Sequence, residues 1–251
     1  MGNFKLSLAC LCVLQVINGY AVAADYDAAQ DGVIGTDMSF SATDKVSANI
    51  KDTFAPGTTT NFADNSVLTV SVAQGVSAGT QNFRGTSSIV ASATHAISGG
   101  VQNFWNSSHL RVKEINALSG SQINLHDTSD IKLEGVDLTS NTLGVNLIDA
   151  GTELDLSGKS AALGKLEGKG KVIFGSAASG RLTIDTSVLG DSTFDGVLDT
   201  SANNNAELIK EGRGEWIFNG TTSGPGGKAS VNGGLMTVNG DLSAFSVAVK
   251  Q

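Results

Sequence analysis

From Ser66 onward the chain is a succession of short runs in which apolar and polar residues alternate, and no other feature constrains the fold as much. SVLTVSV (66–72), SSIVASA (87–93), HLRVKEI (109–115), QINLHD (122–127), DIKLEGV (130–136), TELDLSG (152–158), KVIFG (171–175), RLTID (181–185), EWIFNG (215–220) and LMTVNG (235–240) all carry it. A period of two closed by Gly, Asn, Asp or Ser is the mark of a half-buried strand. Many short strands at roughly eight- to twelve-residue spacing fit either a β-sandwich or a β-solenoid. Composition agrees with an all-β fold: 31 Gly against 2 Pro and 6% aromatic residues suit small side chains packed between many tight turns.

A repeated phrase separates the two architectures. GKLEGKGKVIFGS (164–176) and IKEGRGEWIFNGT (209–221) share the order Lys, spacer, Glu-Gly-x-Gly, charged residue, two-apolar strand and Gly. They read as turns of one coil, which a sandwich has no reason to repeat. Alternation then places Trp216 with Phe218, Met236 with Val238 and Val172 with Phe174 on inward faces, stacked about 4.8 Å apart. Residues 24–65 show weak periodicity and one of the prolines, and are expected to form an irregular capping section ahead of a solenoid spanning 66–251.

The segment LIKEGRGEWIFNGTTSGPGGKASVNGGLMTVNG (208–240) resembles the passenger-associated β-strand repeat of bacterial autotransporters. Leu208, Lys210, Gly212, Gly214, Gly220, Gly226, Gly227, Val231, Gly233, Gly234 and Val238 match its phrase, while Trp216, Phe218 and Met236 stand where it has Leu. Residues 166–200 are similar to the stretch that commonly precedes the repeat. Here TTSGPGG stands between the halves of the repeat in place of an aromatic residue, and a locally altered loop is expected. The resemblance implies a right-handed parallel β-helix serving as the stalk or scaffold of a passenger. It also implies a part for the repeat in folding during export, and an unknown surface ligand, protein or glycan. Family members continue into a C-terminal transmembrane barrel, whereas this sequence closes at SVAVKQ. A truncated passenger, a split-gene remnant and a secreted relative are the expectations that follow.

The opening MGNFKLSLACLCVLQVINGYAVAA has one cation at Lys5, an apolar run from Leu6 to about Ile17, and an A-x-A pattern at Ala21 and Ala23. This is the layout of a secretory signal peptide over residues 1–23, read by the general secretion pathway and cut after Ala23. The run is too short to span a bilayer, so no transmembrane segment is expected in the mature chain. Cys10 and Cys12 both lie within this segment, so the mature chain has no thiol, disulfide or cysteine metal site. The expected location is the periplasm, the surface or the medium of a Gram-negative bacterium.

Net charge −8 and the scattered cations of KLEGKGK argue against nucleic-acid binding. Asp25, Asp27 and Asp31 miss the EF-hand spacing, and His95, His109 and His126 lack paired ligands. No phosphate-binding P-loop occurs. No catalytic residue, cofactor or metal is therefore assigned, and a non-enzymatic adhesive or structural role is expected. The rival is a carbohydrate-active β-helix enzyme, a polysaccharide lyase or hydrolase. Its acids would come from Asp149, Glu153, Asp155 and Lys159, or from Lys132, Glu134 and Asp137; the competing reading is of solvated charges that keep the outer face soluble.

Overall fold

A computed structural model describes residues 25–176 and 180–249 as a parallel β-solenoid of about ten turns. The expected cleavage after Ala23 lies outside the described residues. All pairings between described strands are parallel, and they form a ten-stranded and a 14-stranded sheet running the length of the coil. Each early turn sends one strand to each sheet, as in Thr59–Phe62 followed by Val67–Val70, then Thr80–Phe83 followed by Ser88–Ala91. Inward and outward residues alternate along these strands with the period of two read from the sequence.

In the early turns a third side consists only of single bridges, Ile34 to Phe54, Val76 to Ile97 and Ile97 to Leu118. It widens at Leu138–Leu147, a long strand whose register breaks between Ser140 and Gly144. One leg continues through Arg181–Asp185, Ala206–Glu211 and Gly227–Val231, the other through Ser192–Phe194, Glu215–Phe218 and Leu235–Val238. The later turns are therefore three-stranded.

Residues 24–65, expected to be irregular, hold the strands Tyr26–Asp27, Met38–Phe40, Lys45–Ala48 and Thr59–Phe62, all paired into the coil. The helical part is one turn, Ala28–Asp31, capped by the Asp27 carboxylate and closed at Gly32.

One inward column runs through most of the molecule: Phe40, Phe62, Phe83, Phe104, Leu125, Leu147, Gly168, Phe194, Phe218 and Val238 lie in register. The Phe62, Phe83 and Phe104 rings stack at 4.7 and 4.8 Å, the interstrand repeat itself. At Gly168 the column narrows because a Cβ would stand 2.0 Å from the Leu147 carbonyl oxygen. Trp216–Phe218 and Met236–Val238 share a column as the alternation requires, but Val172 does not join it. Its strand pairs with Glu153–Asp155 and Val197–Asp199 in the other sheet. The two Glu-Gly-x-Gly phrases thus sit at different points of the turn: equal strand patterns say which residues point inward but not which side of the coil they line.

Candidate functional site

The carboxylates that an acid/base reaction would recruit face outward, and each has a structural partner. On the ten-stranded sheet Lys132 meets Asp155 at 3.3 Å and Lys171 meets Glu153 at 3.3 Å, both across neighbouring turns. Glu134 lies 3.5 Å from Lys113, and Asp130 binds both His109 and Arg111. Asp149 and Asp137 accept the backbone N–H groups of Asp127 and Ser160, each at 2.8 Å. Lys159 forms no ion pair among the described residues. Glu153 and Asp155 share a strand face, yet each is neutralised by a different lysine, so the pair forms charge ladders along the coil.

The residues weighed as metal ligands are equally committed. Asp27 accepts from Asn49 Nδ2 at 2.6 Å, the main reason its carboxyl is held below the usual range, and Asp31 accepts from the Asp27 backbone. His95 approaches Ser119, His109 pairs with Asp130, and His126 stacks on Trp105. Among the described residues no three His, Cys, Asp or Glu side chains could together hold an ion.

The residues of the autotransporter-like phrase fall on four strands, Ala206–Glu211, Glu215–Phe218, Gly227–Val231 and Leu235–Val238, and their corners. Leu208, Trp216 and Phe218 are fully buried, Val231 and Met236 partly so, and Val238 is 42% exposed because no further described turn covers it. Two constraints act on its glycines, backbone conformation and crowding. Gly212, Gly226 and Gly234 have φ of +75°, +109° and +65°, where side chains are strained. A Cβ on Gly220 or Gly227 would instead strike a carbonyl of the preceding turn, at 1.8 and 2.1 Å, and one on Gly214 the Asp191 carboxylate at 2.7 Å. At Gly233 the nearest contact would be 3.1 Å, so its neighbour need move only slightly.

Lys210 occupies an inward position between Ile184 and Val231 and has no exposed surface. Its Nζ donates to Thr186 Oγ1 at 2.9 Å, to the Gly233 and Gly212 carbonyls at 3.2 and 3.3 Å, and to the Glu211 carbonyl. Burial pushes its pKa below 10.5, opposed by the charges of Asp185, Asp191 and Glu211. The ammonium gathers the carbonyls that the Gly-x-Gly corner turns inward, which is why a lysine and not a leucine fits there.

Sequence reasoning missed a second group, on the outer face of the 14-stranded sheet. Asn61, Asn82, Asn103 and Asn124 stand one per turn, each Nδ2 donating to the preceding Oδ1 at 2.9, 2.9 and 2.8 Å. Beside them Arg84 lies 4.3 Å over the Trp105 ring, whose other face carries His126 at 5.1 Å. The signal was present: Asn-Phe at 61, 82 and 103 and Asn-Leu at 124 recur every 21 residues. No family model, curated protein or solved structure matches the chain.

Proposed function

We propose that this chain is an autotransporter-passenger-like scaffold, exported by a Gram-negative cell and displayed in the periplasm, at the surface or in the medium, where it serves a structural or adhesive role without catalysis. The observation that carries this reading is how the 208–240 phrase is used. Leu208, Trp216 and Phe218 serve as core residues, Lys210 as a carbonyl clamp, and Gly212, Gly226 and Gly234 as corners, so most matched positions have a structural task in the coil. The paired charges of the outer face support it, since an acid/base pair needs a carboxylate free to exchange protons.

The reading is tested by expressing the full chain in a Gram-negative host and identifying the N-terminal residue of the product in each cell fraction. Ala24 at the N-terminus of extracytoplasmic material is the expected result. Retention of Met1 in the cytoplasm sinks the export claim, and release of reducing or unsaturated sugars from polysaccharides sinks the non-catalytic one.

A further inference from the structure

The geometry points to the asparagine stripe of the 14-stranded sheet as a binding surface for a linear, uncharged polysaccharide lying along the solenoid axis. This rests on the reading of the chain as a display scaffold and names the ligand class that reading leaves open.

The first support is the spare hydrogen-bonding capacity of the ladder. A carboxamide has two N–H donors and two acceptor lone pairs. Asn82 and Asn103 each give one N–H and one lone pair to their neighbours, which leaves one of each for a ligand. The ladder bonds also fix the side chains, so binding forfeits little rotamer freedom. Sugar hydroxyls donate and accept together, and an amide answers both. One amide per turn, spaced about 4.8 Å apart, repeats along the axis, so a chain of repeating units meets the same pair of partners again and again.

The second support is charge. The outward positions on one side of the ladder are Thr59, Thr80, Val101 and Gln122, none of them ionic, and on its other side the Arg84 cation lies over the Trp105 ring. The other sheet carries its charges at the same turns, around Arg111, Asp130 and Lys132. In a chain of net charge −8 an uncharged stripe favours an uncharged ligand. A protein partner is less well served, because interfaces need an apolar anchor. The aromatic residue flanking this face is Trp105, and Arg84 and His126 cover both faces of its ring.

The test is retention of the purified chain on cellulose, chitin and curdlan, three insoluble neutral polysaccharides, with pectate as the anionic comparison and albumin as the blank. We expect retention on at least one neutral polymer, released by its soluble oligosaccharide and unaffected by about 0.5 M NaCl, which screens ionic contacts. Thr80→Arg places a cation beside the ladder without touching its bonds and is expected to weaken retention at least about tenfold. Asn103→Asp should do the same, whereas Lys132→Ala on the opposite sheet should change nothing. If Asn103→Asp misfolds, Thr80→Arg alone decides. Retention no better than albumin, retention indifferent to Thr80→Arg, or salt-sensitive retention on pectate alone overturns the proposal. Export with no binding defeats only this inference; sugar release defeats the display reading while leaving the stripe occupied.

Discussion

Lys210 shows how much one residue of a repeat phrase can decide. Replacing it with Met preserves length and burial but removes the ammonium from the inward carbonyls of Gly212 and Gly233, while Glu211 keeps only its bonds from Thr186. The expected cost is about 3 kcal/mol, read as a shift in urea midpoint without loss of the strand signal in circular dichroism. The same corner predicts acid sensitivity. At Asp185 burial raises the pKa, but hydrogen bonds from Ser187 and Asn141 and the Lys210 charge outweigh it, and the net falls below 3.8. The folded state therefore favours the ionised form. Its contribution is complete above the unfolded value and disappears as pH falls through the folded one. Asp185→Asn should lower stability near neutrality and lose less on acidification, as urea titrations between about pH 6 and 2 would show. That Lys210 belongs to the fold was legible from the phrase. That its amine is buried was not, because a charged residue at an alternating position reads as surface until the carbonyls it serves are known.

At the scale of strands and corners, the space around a glycine gives opposite forecasts for two motif positions. Gly220→Ala drives a methyl into the Gly196 carbonyl and should cost more than about 2 kcal/mol, whereas Gly233→Ala should stay within about 1 kcal/mol in the same melting experiment. Strands with apolar inward faces, such as Ser88–Ala91 and Glu215–Phe218, were visible in the sequence. Thr80–Phe83 and Val101–Phe104 were not, because one of their two inward residues is a buried glutamine, Gln81 or Gln102. Gln102 Nε2 donates to Gln81 Oε1 at 2.9 Å and both amides donate to backbone carbonyls, of Gly99 and Ala78, while Gln102 Oε1 is buried without a partner among the described residues; two polar residues on the inward face erase the alternation that marks a strand. The same strands carry the asparagine stripe, so losing their pattern also hid the candidate surface. Asn106 and Asp127 stand at corners with φ of +60° and +57°, whereas the ladder asparagines stand within strands.

Across the whole molecule, stability is shared between neighbouring turns and little else, so a turn can be removed if its register is respected. Deleting residues 80–100 brings Val101–Phe104 against Thr59–Phe62, with Phe104 on Phe62 and Asn103 on Asn61, as in the parent pairs. The shortened chain should fold, keep its strand spectrum and melt within about 8 °C of the parent. Deleting one residue fewer should reverse the faces and leave it aggregated.

The uneven length of the turns also has a mechanical meaning. Strands on the ten-stranded sheet begin at Val67, Ser88, His109 and Asp130, 21 residues apart, but later at Glu153, Lys171, Val197 and Thr221, with gaps of 18, 26 and 24. A coil pulled by its ends peels one turn at a time, and each turn surrenders its own contour. The early half would lengthen in equal steps of about 70 Å and the later half in unequal ones, so a force trace would show which half was yielding.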